Sequence, residues 1–129
     1  MSEAVLDAVP QTAVPAAGEV ARTNRGSRRC PECLAAFGAV QPGQLFCCRE
    51  HKRAYNNRWL KRGAVIAPLY AAAWQTRDGT RGDKATGKRA RQDSRQLIQR
   101  WKDEDAAAGR MSVVDYMAAR YRLGLVEVA

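Results

Sequence analysis

All four cysteines and the only histidine of this 129-residue chain fall between positions 30 and 51. Chance would scatter five such residues along the whole chain, so their concentration is the strongest constraint on the fold. The first pair stands in Cys30-Pro31-Glu32-Cys33, and the second group in Phe46-Cys47-Cys48-Arg49-Glu50-His51. Structural zinc sites take four Cys or His ligands in a tetrahedron, commonly as two short pairs separated by a loop. Cys30 and Cys33 form one pair. Cys47 and His51, four apart, are one helical turn from each other and face a common point. The expected cofactor is therefore a structural Zn2+ held by Cys30, Cys33, Cys47 and His51. Cys48 is left over because, on a helix, it points about 100° away from Cys47. A set with Cys48 in place of Cys47 is the alternative, with a Cys-x-x-His second pair.

Other uses of these thiols fit less well. A Cys-Pro-x-Cys redox motif needs a preceding strand and a helix that starts at its second cysteine, whereas here Arg28-Arg29 precede it and a Pro42-Gly43 turn soon follows. The first residues, MSEAVLDAVP, are acidic where a secretory signal would be basic, and no apolar run reaches membrane-spanning length. The expected location is cytoplasmic, where thiols stay reduced and cysteines at this spacing serve as ligands rather than disulfides. Much of the apolar content is alanine, so the core must be small, and small cores are often supplemented by a metal.

Residues 1–27, rich in Ala, Val, Pro and Gly without a sustained period, are expected to form a disordered tail, with Arg22, Arg25, Arg28 and Arg29 as a basic arm at its end. From Arg28 to Cys47 the turn-rich text suits two small hairpins. Residues 48–62 are predicted as a helix that Gly63 ends. On it His51, Ala54, Tyr55 and Trp59 share one face; Arg49, Lys52, Arg53, Asn56 and Asn57 share the other; Leu60 fits neither. A second helix is predicted over 66–77 with Ile66, Tyr70, Ala73 and Trp74 on one side, followed by a mobile loop from Asp78 to Gly87. The longest helical pattern spans 88–108, with Ala90, Leu97, Trp101 and Ala108 on one stripe. Ser112 and Asp115 resemble a capping box for a last helix, Val113–Leu123, which packs through Val114, Met117 and Tyr121 and stops at Gly124.

Charge is unevenly placed. Residues 22–62 carry ten basic and two acidic side chains and residues 63–102 nine and three, while residues 1–21 carry three acids and no base. Such an excess around the metal site is the footprint expected for a polyanion. The nucleic-acid contacts are expected from Arg49, Lys52, Arg53, Asn56, Asn57, Lys61 and Arg62, with Asn at base edges and the cations on phosphate, and Arg91, Arg95 and Lys102 extending the track. DNA is favoured over RNA. A site closed by four protein ligands has no position for an activated water and also consumes the sole histidine, so no catalytic residue and no enzyme activity is expected. Asp103, Glu104 and Asp105 read as a solvated helix end.

The segment Phe46-Cys47-Cys48-Arg49-Glu50-His51, after a Cys-Pro-x-Cys knuckle, resembles treble-clef zinc fingers with a Phe-Cys-Ser-x-x-Cys signature, among them the small bacterial DNA gyrase inhibitor zinc proteins and MYM-type fingers. It is also similar to bacterial proteins in which an Asn-Asn-Arg helix follows the finger, here Asn56-Asn57-Arg58. The resemblance covers about residues 28–63. Cys48 stands where the signature has Ser, and His51 where it most often has Cys. The resemblance implies a knuckle, a hairpin and a helix clasping one zinc; with the helical patterns that follow, the expected fold is mainly α with a small β-hairpin zinc module, a treble-clef finger over 28–63 and then about three helices over 64–124. Treble clefs serve DNA, RNA and protein partners alike, so the expected function rests on the charge and the basic helix: a small bacterial DNA-binding or regulatory protein. The alternative is a zinc-dependent protein-interaction adaptor, or an inhibitor of a DNA-processing enzyme, with Trp74 and Trp101 offering an apolar groove to a protein partner; core packing is the favoured reading of both tryptophans.

Overall fold

The computed structural model describes residues 27–77 and 82–128. The expected tail, with Arg22 and Arg25, lies outside the described residues apart from its last position. Among the described residues the chain is mostly helical with one small hairpin. Strand β1 (Ser27–Arg29) pairs antiparallel with β2 (Ala36–Gly38), Arg28 opposite Phe37. Three helices follow: α1 (Arg49–Gln75), α2 (Lys84–Ala107) and α3 (Val113–Arg122). One hairpin forms where two were expected, because among the described residues 39–48 make turns rather than strands. Between β1 and β2 the chain reverses through the first cysteine pair. Leu34 N donates to Cys30 O at 2.7 Å and Cys30 N to Ala35 O at 3.0 Å. Leu34 takes a φ of 63° to close this turn, at a cost on the order of 1 kcal/mol for a residue with a Cβ.

The break expected at Gly63 does not occur. Helix α1 runs for 27 residues through both Gly63 and Pro68, and the boundary expected between residues 63 and 64 falls inside it. Glycine in a helix interior costs only about 1 kcal/mol, and here packing outweighs it. Arg62 and Ile66, on either side of Gly63, are both buried and hold the two halves of α1 against α2. Proline is costlier because it removes an N–H bond to the carbonyl four residues earlier. That carbonyl belongs to Ala64, which like Pro68 is exposed, so water can satisfy it.

Helices α1 and α2 lie antiparallel. At one end Thr76 meets Gly87, and at the other Trp59 and Trp101 stand edge to face with ring centroids 6.0 Å apart. Gly87 belongs to α2 rather than to the expected loop. Asp83 caps this helix, accepting from Thr86 N at 3.0 Å and Thr86 Oγ1 at 2.7 Å. Buried Gly87, Ala90 and Ser94 bring the backbones close. A Cβ built on Gly87 would run into Thr76 Oγ1 and stand 2.6 Å from Thr76 Cβ. Gly87→Ala is therefore expected to destabilise the fold by about 1–3 kcal/mol, as overpacking does, and Thr76→Gly in the same chain, which removes the Cβ as well as Oγ1, should restore part of that in a chemical denaturation series.

The core sits beneath the cysteines. Cys30, Phe46 and Tyr55 are its buried centre, with Phe37, Leu45, Cys47, Trp59 and Tyr116 packed around them. Tyr116 of α3 stands 4.6 Å from Tyr55 and 6.5 Å from Phe46. Helix α3 is capped as expected, Ser112 Oγ accepting from Asp115 N at 3.1 Å, and Gly124 follows it at a φ of 69°. Its packing residues differ from expectation: Val114 and Tyr121 are exposed, while Ala119 is buried and Tyr116 reaches the core. Ala54, Tyr70 and Ala108 also face solvent, and Trp74, expected in the core, is 64% exposed. Leu60, unplaced in the sequence pattern, is 75% exposed. Among the described residues, no helix is long and apolar enough to cross a membrane.

Candidate functional site

The structure brings Cys30, Cys33, Cys47 and His51 together. One ligand atom from each lies within 4.8 Å of all the others. Cys30 and Cys33 come from the turn between β1 and β2. Cys47 ends the following loop, and His51 lies in the first turn of α1. Cys47 Sγ is 3.1 Å from His51 Nδ1, Cys30 Sγ is 3.8 Å from the same nitrogen, and Cys33 Sγ is 3.8 Å from Cys47 Sγ. A zinc ion at about 2.3 Å from sulfur and 2.0 Å from nitrogen would set tetrahedral edges of about 3.5–3.8 Å. The donor set fits such an ion, with Nδ1 as the imidazole ligand because that nitrogen faces the sulfurs.

The electrostatics of the three thiols agree with that use. Burial opposes ionisation of Cys30, but the backbone amides of Cys47, Cys33 and Glu32, together with the His51 side chain, bring its thiol down to about 7. Burial pushes the Cys33 thiol up, and the neighbouring Cys30 adds to the rise. Burial likewise pushes Cys47 up, reinforced by Cys30, Cys33 and Cys48. Three thiols this close cannot all ionise unless a cation shares the space.

Cys48 lies outside the group, but for a different reason from the helical angle expected. It is the N-cap of α1, with φ −153° and ψ 166°. As the cap it precedes the helix, so the helical angle does not apply to it; its thiol stays beside that of Cys47 without joining the four-residue group. Cys48→Ser is expected to leave one metal per chain, whereas Cys47→Ser should lose the metal, as measured by elemental analysis of the purified proteins.

The knuckle is tied to the helices by groups the sequence reading did not connect. Arg58 donates two bonds to Glu32, at 2.8 and 2.7 Å. Those bonds hold the Glu32 carboxyl below its usual value. Met111 N donates to Pro31 O at 3.0 Å, which joins the α2–α3 connection to the same turn. Arg28 and Arg29, expected in a phosphate-binding arm, donate to the carbonyls of Gln44 and Leu34 and so brace the hairpin.

The expected contact residues divide three ways. Arg49, Lys52, Arg53, Asn56, Asn57 and Lys61 are all exposed. Arg49, Lys52 and Asn56 line a groove of about 670 Å³ between α1, α3 and the loop after β2. Arg53, Asn57 and Lys61 lie outside that groove, on an adjoining arc of α1. Arg62 is a correction: it is only 6% exposed and points inward. Its two terminal nitrogens each stand 3.0 Å from an Asp105 oxygen, and its guanidinium lies 4.8 Å from the Trp59 ring centre and 5.3 Å from that of Trp101. It is therefore unavailable to phosphate. Asp105, read as part of a solvated helix end, is 7% exposed and also accepts from Arg110 at 2.6 Å. Of the second basic track, Arg95 and Lys102 are exposed and Arg91 is half-buried.

No protein-family model, curated protein or solved structure matches this chain.

Proposed function

We propose that this protein is a zinc-stabilised nucleic-acid-binding protein, most simply of DNA, whose finger is of the treble-clef kind and whose contact surface is the amino-terminal half of α1. One observation carries the reading. Among the described ion pairs, the arginines of this segment that serve the fold, Arg58 and Arg62, are matched to carboxylates, whereas Arg49, Lys52, Arg53 and Lys61 have no carboxylate within 4.0 Å and are exposed. A row of unmatched cations on a helix braced by a metal site suits a polyanion. The zinc is structural in this reading: its four protein ligands leave no open position, so its role is to fix the helix and not to activate water.

Binding to a duplex should weaken on the order of 50-fold between 50 and 200 mM salt if about three phosphates are neutralised. Arg53→Ala should reduce the slope of log affinity against log salt by about one for every sequence tested. Anisotropy titrations at several salt concentrations measure both. A response flat with salt would contradict the proposal.

The adaptor reading has one observation in its favour. Leu60, Tyr70 and Trp74 are exposed on the outer side of α1, where a protein partner would find apolar surface. Salt-resistant co-purification of one specific protein, without retention on DNA, would favour it.

A further inference from the structure

The groove beside α1 differs from an ordinary phosphate-binding surface. Its rim carries Arg49 and Lys52 from α1 and Arg120 from α3, and none of its lining residues is acidic. Its inner wall is apolar, with buried Phe46 and half-buried Leu45, Tyr116 and Leu125. Two exposed amide side chains, Gln41 and Asn56, stand at its edge. The remaining amide, Gln44, is already engaged: its Oε1 accepts from Val40 N and its Nε2 donates to Phe46 O. Arg120 is held in place by donating to Leu125 O at 2.8 Å, a carbonyl contact that leaves its positive charge unneutralised.

Three kinds of surface therefore converge in a space of about 670 Å³: cations, an aromatic and aliphatic wall, and amides able to pair with a polar edge. Phosphate alone would need only the first. A duplex presents its bases stacked inside a rod, and at this end α1 is flanked by α3 and by the loop after β2. Arg49, Lys52 and Asn56 thus face a recess and not an open helix face. A single nucleotide out of its stack supplies an anion, a flat apolar ring and a hydrogen-bonding edge together, and a recess of this size suits a ligand of that size.

We propose that the groove between α1, α3 and the loop after β2 takes an unpaired nucleotide of a DNA or RNA strand, its phosphate on Arg49, Lys52 and Arg120 and its base against Tyr116 and Leu125. This rests on the nucleic-acid reading above and deepens it. Arg53, Asn57 and Lys61 guide the neighbouring backbone, and the groove selects unpaired over paired segments.

The test uses the full zinc-loaded chain with a short labelled oligothymidylate, its oligouridylate counterpart and a duplex. Arg120→Gln lies off α1, and Val40→Glu puts an acid at an exposed position on the groove's edge, so the two variants change the groove without changing the outer arc. Each is expected to weaken both single strands about fivefold or more, through loss of a phosphate contact or repulsion of the phosphate, and to change duplex binding by less than about twofold. Arg53→Ala should weaken single strands and duplex alike. Unchanged single-strand affinity in both groove variants, with the circular dichroism of the parent, would overturn the assignment. So would tighter groove binding by an acidic, leucine-bearing peptide. Duplex binding without single-strand binding removes this inference and leaves the proposed function standing, whereas failure to bind any of the three nucleic acids removes both.

Discussion

Stripping the metal with a strong chelator is expected to abolish the cooperative thermal transition of this protein. The buried centre is Cys30, Phe46 and Tyr55, so one of three core residues belongs to the Cys/His cluster and a second is adjacent to another of its members. Among the described residues, the other buried apolar side chains are Ile66, Pro31 and three alanines, Ala39, Ala90 and Ala119. Apolar burial on that scale supplies little against the entropy of ordering the chain. Structural zinc binding is worth about 10–16 kcal/mol in small metal-folded units, which matches or exceeds the typical total stability of about 5–15 kcal/mol. Without the ion, the knuckle, the loop ending at Cys47 and the first turn of α1 have no common anchor. Tyr116 then loses Tyr55 and Phe46 as partners, and α3 detaches. Near-ultraviolet circular dichroism, which follows those tyrosines and Trp59, should collapse, and His51→Ala should reproduce the effect without chelator. A chelated, metal-free chain that keeps the parent's melting temperature would contradict this account.

The second large effect concerns Asp105. Burial alone would push its carboxyl up, but Arg62 and Arg110 hold it below its ordinary 3.8. Asp105→Ala would leave the Arg62 guanidinium buried between two tryptophans with only the more distant Glu104 oxygen, at 3.5 Å. Breaking a buried pair in this way costs about 3–5 kcal/mol, enough to lower the melting temperature by roughly 15 °C or more in a unit of this size. Replacing both partners, Arg62→Met with Asp105→Leu, should recover most of that loss, because matched apolar groups leave no buried charge. The pH dependence has a definite sign. A carboxyl whose folded value is depressed stabilises the fold fully above its unfolded value and loses that contribution as pH falls through the folded one. The stability difference between the parent and Asp105→Asn should therefore be constant down to about pH 5 and shrink below the ordinary 3.8. Parallel urea titrations across that range would show it. A difference that grows on acidification would contradict the assignment.

How much of this was legible beforehand depended on whether a feature is local. The grouping of Cys30, Cys33, Cys47 and His51 is legible because coordination chemistry fixes such spacings over a few residues, and Ser112 and Gly124 mark the ends of α3 by equally local signals. Asp83 is an equally local cap, with Thr86 three residues on, but it stands in a glycine-rich stretch whose composition signals a loop. Gly63 does not end α1 because glycine signals a stop only when nothing packs against the turns that follow; here Ile66 is buried, Arg62 pairs with Asp105 of α2 and Thr76 meets Gly87. The pairing of Arg62 with Asp105 spans 43 positions, and no periodicity reveals it, so the sequence points Arg62 to phosphate and Asp105 to a solvated helix end. Trp74 was expected inside because large aromatics usually are. It lies past the stretch of α1 where Trp59 meets Trp101, and its ring instead carries the Arg77 guanidinium at 3.7 Å from its centre.

The account turns on the metal centre, and zinc K-edge absorption spectroscopy of the purified full chain tests it most directly. The expected result is one zinc per chain with three sulfur scatterers at about 2.3 Å and one nitrogen at about 2.0 Å, unchanged in Cys48→Ser. A first shell containing four sulfurs, or one containing a water oxygen, would contradict it.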